Sequence, residues 1–200
     1  MTFGIAGDSY DRFMGRYSRE LAPRLIAFAG IADGMRALDV GCGAGALTVA
    51  LADRLDAANV AAADPSEPLL AACAERVPGA DVRLAPAEEL PWAEESFDAV
   101  LSQLVLNFVS DADAAVAEMR RVAAPGGIVA SCTWDYAGGM RMLHAFWKAA
   151  AELDPLAPDE SNMRYRTEEE LASLWGRGGL NHVETAALEV ETEYVGFDDF

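Results

Sequence analysis

Apolar residues fall into two rhythms along this chain. Met35–Val40, Ala58–Asp64, Asp81–Ala85, Phe97–Leu106 and Ile128–Trp134 are short runs rich in apolar residues, and each predicts a strand. Between and around them apolar positions recur every three or four residues, as in helices. Leu21, Leu25, Ile26 and Phe28 mark a helix that Ser18 caps and Gly30 ends. Further helices are predicted over 45–57, 67–77 behind Ser66, and 111–123, the last ended by Pro125-Gly126-Gly127. Strands alternating with helices at this spacing make right-handed crossovers and an α/β, doubly wound, mostly parallel sheet with helices on both faces.

The last third is less regular. A helix is predicted over 138–153, then a loop. Thr167 and Glu170 form a capping box for a helix over 168–177, which Gly178 and Gly179 stop. Residues 182–195 alternate well enough for a strand with one wet face. The expected organisation is one domain over 1–200: an N-terminal helical lid segment (1–33), a cofactor-binding half (34–136), and substrate-side helices with an edge strand (137–200).

The first strand runs into Gly41, Gly43 and Gly45 at alternate positions, with Asp39 just before them. Such glycines let the chain turn sharply from strand to helix and let a ligand approach the backbone. The stretch also satisfies the dinucleotide pattern G-x-G-x-x-G/A. Asp64, at the end of the second strand, suits the paired hydroxyls of a ribose. Glycines and Asp64 together indicate a nucleoside cofactor. Asp39 leans away from a pyrophosphate, which a carboxylate opposes, and toward a cofactor carrying an ammonium group. Its alternative role is to order the loop backbone.

Composition narrows the partners. The 200 residues carry 33 acidic against 15 basic side chains, a formal charge of -18, and Lys148 is the only lysine. Nucleic acid is disfavoured as a partner. The three cysteines, Cys42, Cys73 and Cys132, are set apart in apolar surroundings and read as buried thiols of a reducing, cytoplasmic protein. No apolar run is long enough for a membrane span, and no ligand cluster has metal spacing.

At these residues the chain resembles the class I S-adenosylmethionine-dependent methyltransferases, in the small-molecule, quinone-biosynthesis-like branch of the type 11 methyltransferases. The segments that carry the resemblance are LDVGCGAG, AAADPSEPLL, APAEELPWAEESFDAV and RVAAPGG, in order. It implies a Rossmann-like fold, S-adenosylmethionine as cofactor with S-adenosylhomocysteine as product, and a small-molecule acceptor. It implies a cofactor site of Asp39, Gly41, Cys42, Gly43, Gly45, Asp64, Pro65, Ala87, Glu88 and Gln103. Pro86 stands where relatives place an adenine-binding aspartate, so either weaker adenine recognition or a substitute contact from Glu88 is expected. Relatives also finish with an antiparallel strand pair. Here the outer strand is missing, so either the chain is a shortened form or a second copy of it or another partner is expected over the exposed edge.

Three regions can line an acceptor pocket. Tyr10, Arg12, Phe13, Arg16 and Tyr17 form a lid or an ordinary amphipathic helix. Ser102, Gln103, Leu106 and Asn107 end the fourth strand, where Asn107 orients a substrate or caps a turn. Trp134, Asp135 and Tyr136 stack on a planar acceptor or plug the sheet end. Catalytic candidates are Asn107, His144 and Tyr17, and His144 can equally be a packed structural histidine. Trp92 either packs near adenine or anchors its loop. The rival functions are a non-catalytic S-adenosylmethionine-binding subunit and an NAD(P)-dependent oxidoreductase.

Overall fold

The computed structural model describes residues 15–136, 138–139, 148–154, 163–191 and 195–196. Tyr10, Arg12, Phe13 and His144 lie outside the described residues. Strands β1 (Ala37–Val40), β2 (Val60–Asp64), β3 (Asp81–Leu84), β4 (Phe97–Gln103) and β5 (Ala123–Cys132) form one sheet in the order β3-β2-β1-β4-β5. Every pairing is parallel. The order reverses between β1 and β4, so the switch point lies beside the glycine loop.

Alternation along the strands sends residues to two helical layers. Leu38, Val40, Ala61, Ala63 and Val100 meet Val116, Met119 and Val122 of α4 (Ala112–Val122) and Leu174 and Trp175 of α5 (Glu168–Arg177). On the other face Ala37, Val60, Ala99, Leu101 and Ala130 meet Leu25 and Ile26 of α1 (Gly15–Phe28) and Leu47, Leu51 and Leu55 of α2 (Ala46–Leu55). Burial of each such leucine stabilises the fold by about 1.5–3 kcal/mol. A third cluster joins Cys42 and Ala62 to Cys73 of α3 (Glu67–Arg76).

Four elements differ from the sequence expectation. Ser18 does not cap α1. The helix is already formed at Gly15, and Ser18 lies buried on its inner stripe with Leu21, Ala22 and Leu25. Strand β4 ends at Gln103 rather than Leu106, because Leu104 takes a left-handed φ of 61° and turns the chain. The Pro125-Gly126-Gly127 stretch is not a plain helix stop. Helix α4 ends at Val122, Ala123 already pairs with Phe97, and the ladder resumes at Ala99 and Ile128, so the four residues between bulge against Asp98 alone. Finally, residues 183–191 form no strand. Alternation yields a strand only where a ladder partner is present, and this stretch makes no ladder with β5. Leu188 still packs beside the α1/α2 cluster.

Helix α5 begins where the capping box predicts. Thr167 Oγ1 accepts from the Glu170 N–H at 3.2 Å, while the Glu170 carboxylate turns back to the Arg166 N–H at 3.1 Å.

Candidate functional site

The carboxyl ends of β1, β2, β4 and β5 converge on the glycine loop. The loop is held from below. Gly41 and Cys42 both donate to the Ala63 carbonyl, at 2.8 and 2.9 Å, and Gly45 donates to the Cys42 carbonyl at 2.9 Å. The Arg76 guanidinium donates to the Ala44 carbonyl at 2.9 Å. Asp64 closes the frame: its Oδ2 accepts from the Gly43 N–H and its Oδ1 from the Ser66 N–H, each at 2.8 Å. Burial raises the Asp64 pKa, and the two backbone bonds oppose that shift. Pro65, next to Asp64, is exposed.

The donors of Gly41, Cys42, Gly43 and Gly45 are therefore taken by the protein itself. The sequence suggests N–H groups offered to a ligand. The folded loop instead offers a ligand a shape, and an anionic pyrophosphate finds none of these four donors free. Two glycines explain the shape. Gly41 has a φ of 75°, and a Cβ there would lie 2.4 and 2.7 Å from the Val105 methyls. Gly43 has a φ of 53°, and the space its Cβ would enter is open. A Gly41→Ala change is expected to destabilise the protein by about 2–4 kcal/mol, from left-handed strain plus overpacking against a branched side chain. Urea unfolding checks this, and Val105→Ala in the same chain should recover part of the loss.

Asp39 lies beneath the loop, 1% exposed. Its Oδ2 accepts from Thr48 Oγ1 of α2 at 2.7 Å, and its Oδ1 is buried with no partner. Burial pushes its pKa up to about 8, against the hydrogen bond from Thr48 and with the help of nearby Cys73 and Asp64. An ionised carboxylate here lacks a cation. Asp39 Oδ1 is one of four buried side-chain polar atoms left without a partner among the described residues; the others are Gln103 Oε1, Asn107 Oδ1 and Ser131 Oγ. All four belong to the carboxyl-terminal parts of adjacent strands β1, β4 and β5 or to the turn that follows β4. Buried polar atoms are nearly always satisfied, so unpartnered ones near the strand ends are candidates for contact with a ligand.

The other arms of these side chains tie the site together. Gln103 Nε2 donates to the Ser18 carbonyl at 3.0 Å, joining α1 to the end of β4. Ser102 Oγ donates to the Val40 carbonyl at 3.0 Å, fixing β4 to β1. Asn107 Nδ2 donates to the Arg164 carbonyl at 2.5 Å, and Thr133 Oγ1 to the Tyr165 carbonyl at 3.0 Å. Arg164 also reaches the Val109 carbonyl. Tyr17 of α1 meets Trp134, just past β5, edge to face at 5.6 Å. Arg16 is half-buried beside Tyr17, and Tyr136 is buried.

The segment after β3 is braced rather than loose. Ala87 is buried, and Glu88 Oε1 accepts from the N–H groups of Ser110 and Asp111 at 3.0 and 3.2 Å. Arg121 of α4 donates to the carbonyls of Leu90 and Trp92, and Glu118 accepts from the Leu90 N–H. Trp92 donates to Asp81, the first residue of β3, and packs on Arg83 and Phe97. It is an anchor at the amino end of that strand, away from the site. The sequence offered no local signal for Thr48, Arg76, Val105, Arg164 or Tyr165, because each reaches its partner only through the tertiary fold.

This geometry accords with relatives. Residues 38–131 match the methyltransferase domain family. The malonyl-[acyl-carrier protein] O-methyltransferase of Geobacter sulfurreducens is 31% identical over 189 residues, covering 92% of this chain and 70% of its own length. The chain belongs to the class I S-adenosylmethionine-dependent methyltransferases. This methyltransferase is also 35% identical over 105 residues to the ubiquinone biosynthesis O-methyltransferase of Agrobacterium fabrum, covering 50% of the chain and 41% of that protein. Among solved structures, an S-adenosylmethionine-dependent methyltransferase from Thermotoga maritima superposes with a TM-score of 0.58 at 25% identity, over 85% of this chain and 79% of that one.

The cofactor of the class is S-adenosylmethionine, and the residues present fit it. The unpartnered Asp39 Oδ1 is an acceptor suited to an ammonium group, and the open side of Gly43 is room that a side chain would fill. No helix among the described residues is long and apolar enough to cross a membrane, and no described cluster of His, Cys, Asp and Glu has the makings of a metal site.

Proposed function

We propose that this methyltransferase transfers the methyl group to an oxygen of a small-molecule acceptor, in the cytoplasm. The observation that carries the reading is the set of four unpartnered buried polar atoms toward the carboxyl ends of β1, β4 and β5 and in the turn after β4. Beside the Asp39 carboxylate oxygen, two of them, Gln103 Oε1 and Asn107 Oδ1, are neutral amide acceptors, which suit a hydroxyl-bearing partner. The O-methyltransferase names of the two relatives support the same atom class.

The cofactor is held by Asp39 at its ammonium end, by Gly41, Cys42, Gly43 and Gly45 under its methionine part, and by Asp64 at its ribose. Pro65, Ala87 and Glu88 flank adenine. Bound there, it supplies a methyl group on a positively charged sulfur, already activated for in-line displacement. The chain's own work is positioning and exclusion of water. Gln103 and Ser18 bring α1 over the strand ends as a lid. Arg16, Tyr17, Trp134 and Tyr136 wall the acceptor side, and Asn107, which cannot take up a proton, orients the acceptor.

The test supplies the purified protein with S-adenosylmethionine labelled in its methyl group, together with carboxylate, phenol and amine acceptors. The expected products are methyl esters or ethers. Label found only in N-methyl products would overturn the reading. Truncating the aromatic wall by Trp134→Ala should raise the KM for the acceptor about tenfold while the Kd for S-adenosylhomocysteine moves much less, because only the acceptor meets that wall.

A further inference from the structure

Strand alternation and the glycine turn bring Asp39 and Thr48 together. Along β1, Leu38 and Val40 face one helical layer, while Ala37 faces the layer of α1 and α2. Asp39, two residues after Ala37, shares the face that α2 covers. Its neighbours across the ladder are Ala62 and Leu101. Thr48 lies in the first turn of α2 and is fully buried. Its Oγ1 donates to Asp39 Oδ2 at 2.7 Å and accepts from Cys73 Sγ of α3 at 3.4 Å. Asp39 Oδ1 has no partner. We propose that Thr48 is a positioning residue: it holds Oδ2 so that Oδ1 meets the cofactor's ammonium group, and it favours loss of the Asp39 proton when they meet.

Hydroxyl chemistry decides which oxygen is which. Thr48 Oγ1 carries one hydrogen, and that hydrogen lies between it and Oδ2. A proton on Oδ2 would meet it head on, so the carboxyl proton of the ligand-free protein sits on Oδ1. There it is a buried donor without an acceptor, an arrangement that costs stability. An ammonium group repels that proton and attracts a carboxylate. Oδ1 then gives its proton to water and accepts from the cofactor. The Thr48 bond is stronger to the charged carboxylate than to the neutral acid, so it helps the proton to leave. The surroundings work against it. Burial raises the Asp39 pKa, and Cys73 of α3 and Asp64 of β2 add to the rise. Cys42 in the loop and Cys132 of β5 also feel the Asp39 charge.

Thr48→Val keeps the shape of the side chain and removes its hydroxyl. The inference rests on the cofactor placement proposed above, with the ammonium end at Asp39, so one of its two measurements uses no ligand. Denaturant midpoints of the ligand-free protein are followed from pH 5 to pH 9. A folded-state pKa above the unfolded one means stability lost as pH rises, and the wild-type loss from Asp39 ends near a pH of about 8. Without the hydroxyl the folded-state pKa rises further, so Thr48→Val should go on falling for about one more pH unit. The second measurement titrates S-adenosylhomocysteine by calorimetry over the same range. At pH 7 the variant should bind about tenfold more weakly, and the gap should narrow by pH 9 as both carboxyls ionise.

Thr48→Ser keeps the hydroxyl and should restore both profiles. Thr48→Ala removes the same hydroxyl with less bulk, and it replaces Thr48→Val should circular dichroism show that variant unfolded. Binding weakened by one factor at every pH, with an unshifted stability profile, gives Thr48 a packing role only and overturns the proposal. Wild-type profiles in a folded Thr48→Val overturn it as well. A shifted stability profile, in a protein whose wild type ignores S-adenosylhomocysteine, refutes the cofactor placement instead.

Discussion

Asp64→Ala is expected to weaken S-adenosylhomocysteine binding by about 100-fold or more, the largest effect of any single change in the site. The carboxylate accepts from Gly43 on the loop and from Ser66 at the head of α3, so it couples those two segments. Hydrogen bonds to a charged group contribute about 1.5–3 kcal/mol each, and removal leaves the Gly43 N–H in a part-buried place without its acceptor. The proposed ribose contacts vanish with them. Asp64→Asn keeps the shape and part of the acceptor capacity, so its loss should be smaller, about tenfold. Calorimetry on both variants, with circular dichroism to show that each is folded, checks the prediction. Wild-type affinity in Asp64→Ala would remove Asp64 from the site.

The second large effect is on stability, and it runs in the opposite direction. Asp39→Asn should make the ligand-free protein more stable near neutral pH while weakening cofactor binding. Asp39 carries a carboxyl whose pKa is pushed from 3.8 to about 8 by burial. A raised carboxyl pKa means that the folded state keeps a proton which the unfolded state releases. Stability from this group is fully present below about pH 4 and is lost as pH rises to about 8, after which it changes no further. Across that window the loss amounts to a few kcal/mol, and asparagine has no proton to lose. Denaturant midpoints at pH 5 and pH 8 should fall for the wild type and stay level for Asp39→Asn. Binding has the complementary pH dependence. A cationic partner favours the ionised carboxylate, so affinity should rise toward pH 8, and a proton should appear in the buffer on binding. Asp39→Asn should show neither.

Those two aspartates were legible because their signals are local. Asp39 interrupts an apolar run just before a glycine triplet, and Asp64 ends the next run; strand geometry alone then carries both to the same edge of the sheet. The strand and helix order was legible for the same reason. The errors arose where local rules competed. Ser18 has the chemistry of a cap, yet its spacing from Leu21, Ala22 and Leu25 puts it on the buried stripe of a helix that begins earlier. Pro125-Gly126-Gly127 has the composition of a stop, yet β4 tolerates a bulge beside Asp98. Residues 183–191 have the alternation of a strand, yet pairing is a property of two segments. Contacts such as Gly41 with Val105, Gly45 with Cys73 and Asn107 with Arg164 join distant parts of the chain. They follow from topology, and no residue pattern announces them.

The loop also separates two readings that the glycine pattern alone leaves open. G-x-G-x-x-G/A serves dinucleotides when its N–H groups face a pyrophosphate. Here Ala63, Asp64 and Cys42 accept from those groups, and a buried carboxylate sits below. Titration of the purified protein with S-adenosylhomocysteine, beside NADH under the same conditions, tests this most directly. Binding near the micromolar range is expected for the first and none for the second. Binding of NADH, or a folded and reduced protein that ignores S-adenosylhomocysteine, would contradict it.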